Sequence, residues 1–178
     1  KPQKIFNMKF DVIIGNPPYQ LETSGHGRQA RPIYHLFVEQ AKKLNPKYLI
    51  MIIPSRWFSG GMNLDNFRQE MLSDKRIKRM VDYSNSKDCF PGVSVSGGVN
   101  YFLWERGYEG ACEFTNVSNG KVSTSKRYLD SYSTLIRYNE AISIIDRISE
   151  FSKGSFSSLV SSINVFNLSS SFRGSSTR

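Results

Sequence analysis

The first dense apolar run, Phe10-Asp11-Val12-Ile13-Ile14, is interrupted only by Asp11 and reads as a short buried strand. It ends in Asn16-Pro17-Pro18-Tyr19, where neither a ladder nor a helix can continue. Proline has no N–H, fixes φ, and drives the residue before it toward extended backbone. From Tyr34 the period changes. Tyr34, Phe37, Ala41 and Leu44 recur at helical spacing, Glu39, Gln40, Lys42 and Lys43 fill the other face, and Asn45-Pro46 ends the element. Tyr48 to Ile53 is a continuous apolar run stopped by Pro54, the pattern of a central strand covered on both faces. Strand, helix and strand make a βαβ unit, with parallel strands and a right-handed crossover.

A second round follows. Leu64, Phe67, Met71 and Leu72 predict a short amphipathic helix, and Ile77 to Tyr83 a strand that opens in the basic cluster Lys75-Arg76-Ile77-Lys78-Arg79. Val99 to Trp104 is the next strand. The intervening Ser84–Gly98 stretch is short for a helical crossover, so an antiparallel return at the sheet's edge is expected. The reading is an open α/β sheet, and ligands of such sheets bind beyond the carboxyl ends of the parallel strands, where the diproline loop lies. Further on, Asn119-Gly120 marks a peripheral hairpin within Phe114 to Ser123. Ala141, Ile144, Ile145, Ile148 and Phe151 mark a helix, and from Ser152 the chain is serine-rich with scattered apolar residues.

Composition narrows the partners. The 178 residues suffice for one sizeable core, and 24 Lys and Arg against 15 Asp and Glu give a net charge of +9. That balance favours a polyanion such as nucleic acid, beside the plainer reading of a basic, solvated surface. Cys89 and Cys112 make no disulfide framework, and no apolar stretch is long enough for a membrane span, so a cytoplasmic setting is expected. His26 and His35 lack ligand company, and no metal site is expected.

The loop chemistry gives the charge a use. A nucleobase amine is a poor nucleophile because its lone pair is delocalised into the ring. The Asn16 side-chain oxygen and the Pro17 carbonyl could each accept one of its N–H groups, favouring a pyramidal nitrogen and stabilising the charge that develops during methylation. The Tyr19 ring could stack on a base turned out of its duplex.

Asn16-Pro17-Pro18-Tyr19 after Phe10 to Gly15 resembles the catalytic motif of adenine-specific DNA methyltransferases, in particular the gamma-ordered enzymes of restriction-modification systems. Tyr34 to Leu44, Leu49 to Phe58, and Cys89-Phe90-Pro91 before Val99 to Arg106 are similar to later elements of that family, in family order over residues 5 to 106. The resemblance implies S-adenosyl-L-methionine as methyl donor and double-stranded DNA as substrate. It makes Asn16, Pro17 and Tyr19 catalytic, sets Phe90 opposite Tyr19 across the flipped adenine, and sets Phe37 at the cofactor's adenine. A fused or separate restriction nuclease is a further expected partner. The implied fold is a partial Rossmann-like methyltransferase sheet, with parallel strands and an antiparallel edge hairpin. The family's glycine-rich turn and ribose-binding acid find no match before Phe10, so the chain is expected to lack its N-terminal cofactor-binding half and to be inactive alone. Residues 1–106 would be the later half of the catalytic domain, 107–151 an extension, and 152–178 the start of a target-recognition domain.

Other readings stay open. The same motif serves methyltransferases that act on a protein glutamine or on RNA, and the chain could be a DNA-binding or scaffolding part without catalysis. Phe90 could plug its own loop, Phe37 could be a core residue of its helix's apolar stripe, and Lys75, Arg76, Lys78 and Arg79 could be a solvated helix end or a phosphate track. His26 and Arg28 could touch DNA or water.

Overall fold

The computed structural model describes residues 9–21, 30–132, 134–151 and 160. The Ser24 to Arg28 loop, with His26 and Arg28, and the serine-rich stretch from Ser152 lie outside the described residues, Val160 excepted.

Six strands form one mixed sheet: β1 (Val12–Gly15), β2 (Tyr48–Pro54), β3 (Ile77–Tyr83), β4 (Val99–Glu105), β5 (Cys112–Ser118) and β6 (Lys121–Arg127). Helix α1 (Tyr34–Lys43) joins β1 to β2, and a 3-10 turn (Ser55–Ser59) with helix α2 (Asp65–Ser73) joins β2 to β3. The spatial order is β1-β2-β4-β3-β5-β6. As expected, β1 and β2 are parallel and β4 runs antiparallel. The reversed strand does not sit at the edge, however. It lies between β2 and β3, bonded antiparallel to both, because the short return from β3 leaves a gap of one strand that β4 fills.

The antiparallel hairpin at the edge is β5 with β6. Its turn takes left-handed backbone at Asn119 (φ 51°) and Gly120 (φ 75°), as an Asn-Gly turn between twisted strands requires. The hairpin is more than an appendage. Strand β5 pairs parallel with β3, and its Phe114 and Cys112 are buried in the main core.

One face of the sheet carries that core. Leu49, Met51, Ile53, Met80, Phe102, Trp104 and Phe114 are buried with Tyr34, Val38 and Ala41 of α1, Phe67, Met71 and Leu72 of α2, and Trp57 and Phe58 of the 3-10 turn. The other face is less covered. In β1, Val12 is 47% and Ile14 72% exposed, and in β2 Ile50 and Ile52 are half-buried. The opening strand is therefore an exposed edge, and β2 is sealed on one face alone. A run that is apolar on both faces announces two covers without saying which residues supply them.

The α1 stripe also differs from the expected one. It passes through Tyr34, Val38 and Ala41, while Phe37, about 100° round the helix from Val38, is 44% exposed. Phe37 is not a core residue.

The basic cluster after α2 is neutralised within the protein. Lys75 pairs with Asp130, Arg76 with Asp74, Lys78 with Glu105 and Arg79 with Glu113. A phosphate track along these side chains would have to displace carboxylates already in place. Asp74 is the most enclosed of the acids, with 6% of its side chain exposed; it accepts from Lys42 at 2.8 Å, Arg76 at 2.7 Å and Trp104 at 2.9 Å. Burial alone would raise its pKa, but the Arg76 and Lys42 contacts and the Trp104 N–H outweigh it and hold the carboxyl at about 2. A depressed carboxylate stabilises the fold fully above its unfolded value, and that contribution fades as pH falls through the folded value. Between about pH 4 and pH 2 the protein is expected to lose about 2 kcal/mol on this account. Melting temperature followed across that window checks it: an Asp74→Asn variant should start less stable and decline less steeply.

The chain divides into two units, 1–142 and 143–178. Helix α3 (Asn139–Phe151) crosses the division, and none of its side chains is buried. In the second unit Ile144, Ile148 and Phe151 are exposed. Among the described residues no helix is long and apolar enough to cross a membrane.

Candidate active site

β1 and β2 run in the same direction, so the loop after β1 and the turn after β2 emerge side by side. Between them lies a cavity of about 850 Å³. Asn16, Pro17, Pro18 and Tyr19 line it from the first loop, Pro54 and Arg56 from the second, and Tyr34 from α1. Gln20, Ala30, Pro32, Met62, Ser94, Val95 and Ser96 complete the lining.

The diproline loop is held at both ends. Before it, β1 is bonded to β2; after it, the Tyr19 carbonyl accepts from the Ile33 N–H at 3.2 Å, and the Leu21 N–H donates to the Arg31 carbonyl at 3.1 Å. Both prolines fix φ within this span, so the loop is stiff. Pro17 is buried, whereas Asn16 is exposed, and among the described residues no hydrogen bond engages its side-chain amide. Tyr19 is half-buried. Burial raises the pKa of its phenol, and the nearby Cys89 raises it further, so Tyr19 is a neutral aromatic surface at physiological pH.

The loop before β4 supplies a further part of the lining. The Ser86 hydroxyl donates to the Val93 carbonyl at 2.9 Å and accepts from the Val95 N–H at 2.8 Å, and the Phe90 N–H donates to the Ser86 carbonyl at 2.8 Å. These bonds fold the loop onto itself and bring residues 94–96 to the cavity. Phe90 is half-buried in the same loop but is not among the lining residues. Phe37 also lies outside the lining, with its ring partly exposed on α1.

Under the β2 turn lies a feature the sequence did not announce. The Asp82 carboxylate, wholly buried, accepts from the Ser55 hydroxyl at 2.8 Å, the Asn116 amide at 3.0 Å, and the Arg137 guanidinium at 2.6 and 2.8 Å. Ser55 accepts in turn from the Asn100 amide at 3.2 Å, and its N–H donates to the Gly98 carbonyl at 3.0 Å. Gly98 has φ +83°, and a Cβ there would lie 2.1 Å from the Tyr83 carbonyl oxygen, so only glycine lets the loop cross here. A single polar knot thus ties β2, β3, β4, β5 and the segment before α3 directly below the cavity.

A second depression, of about 620 Å³, lies at the opposite ends of β2 and β3 and is lined by Lys42, Asp74, Arg76, Arg106 and their neighbours. Its Asp74 is already paired with Lys42 and Arg76.

Residues 2–90, half of the chain, match the model of the Eco57I restriction-modification methylase family. The chain belongs to this family. The matched span contains Asn16 to Tyr19 and ends at Phe90, so it takes in the strands and helices that frame the cavity up to the last-named ring. An uncharacterized adenine-specific methylase of Mycoplasma pneumoniae is 46% identical over 106 residues, which are 58% of this chain and 25% of that protein. A Methanocaldococcus jannaschii protein, named as a candidate type II restriction enzyme and methyltransferase, is 34% identical over 100 residues, 51% of this chain and 8% of its own length. The chain thus spans a quarter or less of these relatives. A chain from a solved type I restriction-modification assembly superposes with a TM-score of 0.49 at 13% identity, over 89% of this chain and 34% of that one.

Within this methylase family chain, the lining residues missed by sequence reading include Tyr34, Arg56 and Met62. Arg56 could have been found, since it lies two residues past the carboxyl end of a parallel strand beside the diproline strand.

Proposed function

We propose that this chain carries the catalytic loop of an adenine-specific DNA methyltransferase of a restriction-modification system. The reaction moves a methyl group from S-adenosyl-L-methionine to the exocyclic amine of an adenine turned out of duplex DNA. The observation that carries the reading is the exposed Asn16 amide, without a hydrogen bond among the described residues, in the lining of a cavity that also presents the Pro17 and Tyr19 positions on a rigid corner.

Each residue has one task. Asn16 Oδ1 and the Pro17 carbonyl accept the two N–H groups of the amine, which localises the lone pair and opposes the positive charge forming on nitrogen. The proton that leaves after transfer goes to solvent, so no strong base is needed. Tyr19 stacks on the purine ring; Phe90, outside the lining in the loop before β4, would have to turn toward the base to close on its other side. Stacking compensates for the base neighbours lost on extrusion.

The cofactor fits this site in part. Among the described residues the lining has no carboxylate to bind ribose hydroxyls, so the residues present suit the methyl-donor end. The partly exposed ring of Phe37 is available to the cofactor's adenine. When bound, S-adenosyl-L-methionine supplies a methyl group already activated by its sulfonium, which leaves positioning as the main task of the protein.

Family membership and the net charge of +9 favour DNA over a protein glutamine or RNA. The test is methyl transfer by the native protein from labelled S-adenosyl-L-methionine, followed by nucleoside analysis. N6-methyladenine in duplex DNA is expected; label found only in RNA or protein would overturn the reading.

A further inference from the structure

Among the described residues Arg56 is the single charged side chain in the cavity lining. Among the described residues it forms no ion pair, in contrast to Lys42, Lys75, Arg76, Lys78, Arg79 and Arg137, each of which holds a carboxylate. It is exposed, yet its backbone is fixed on every side. Ser55 before it is tied to Asp82, Asn100 and Gly98, and Trp57 and Phe58 after it are buried in ring contact, centroids 4.6 Å apart. The loop that carries Ser94, Val95 and Ser96 passes close by, at Gly97. A cation on a rigid mount, unpaired, inside an otherwise neutral cavity is arranged for an anion that arrives with a ligand.

We infer that Arg56 binds a backbone phosphate flanking the extruded adenine. The inference rests on the methyltransferase reading and adds to it a named contact with the polyanion. A base cannot leave its stack without its sugar and phosphates following toward the cavity mouth, where the target amine must meet Asn16. A guanidinium in the same cavity as Asn16 and Tyr19 would hold the sugar-phosphate as the ring inserts. It carries no sequence information; it fixes register, as phosphate contacts do. The rival anion is the carboxylate of the methyl donor's amino-acid end.

The test measures binding of a short single-stranded oligodeoxyadenylate to the native protein across a salt series, beside binding of S-adenosyl-L-methionine. A single strand avoids the cost of unpairing the duplex. Arg56→Ala is expected to weaken oligonucleotide binding about tenfold at low salt and to flatten the slope of log affinity against log salt by about 0.7, one single-strand phosphate contact. Arg56→Lys should restore the slope, and cofactor affinity should not change in either variant. An unchanged slope in Arg56→Ala would overturn the inference, as would a loss confined to cofactor binding, which would assign Arg56 to the carboxylate. Asn16→Ala should keep the full slope. A native protein with the Arg56-dependent slope that methylates no DNA would sink the methyltransferase reading and leave the phosphate contact standing.

Discussion

Asn16→Ala is expected to lower the methyl-transfer rate of the native protein by about a hundred- to a thousandfold, while DNA and cofactor affinities stay within about twofold. The size follows from what is removed. The Asn16 oxygen would bond the amine most strongly when positive charge has developed on nitrogen, so its loss falls on kcat and leaves KM nearly intact. The substitution also does little to the fold, because Asn16 is exposed and makes no hydrogen bond among the described residues. Single-turnover rates measured beside DNA-binding isotherms check both parts. Equal falls in binding and rate would make Asn16 a binding residue instead.

The second large effect concerns the knot beneath the cavity. Arg137→Ala is expected to destabilise the protein by about 3 kcal/mol, since removing one partner of a buried ion pair leaves the other charge uncompensated. Asp82 would keep its bonds from Ser55 and Asn116, but as a buried anion with no cation against it. Adding Asp82→Asn to Arg137→Ala should recover part of the loss, because the stranded charge is then gone. Chemical unfolding of both variants gives the comparison, and a loss below about 1 kcal/mol in the single variant would show that the pair contributes little net stability.

These two results bear on how far the sequence could be read. The diproline loop, the helix-spaced residues of α1 and α2, and the Asn119-Gly120 turn were legible because each is a local pattern with a local cause. The Asp82 knot was not. Its partners stand 27 to 55 positions away along the chain, and each looks ordinary alone: a serine after a proline, asparagines in two strands, an arginine before a helix. The signal available was that Asp82, Asn100 and Asn116 are polar residues within three strands that also carry apolar residues, here standing in register on neighbouring strands, and that a buried polar group must find partners.

The place of β4 inside the sheet was missed for a related reason. The short return from β3 fixed its direction, but which side of β3 it would take depends on a gap left by β2. The exposure of β1 and Phe37 was hidden in the same way, since apolar character shows that a surface can be covered and not by what. The basic cluster was misleading for the opposite reason: Lys75 and Arg79 meet their acids, Asp130 and Glu113, only after β5 and β6 have folded onto the sheet.

The position of the target amine is the central matter. A structure of the native protein with a duplex carrying its target adenine and an unreactive cofactor analogue would locate N6. The account predicts that N6 lies within about 2.7–3.1 Å of both Asn16 Oδ1 and the Pro17 carbonyl oxygen, with the purine ring on Tyr19. An extruded adenine seated elsewhere, with Asn16 turned from it, would contradict the account.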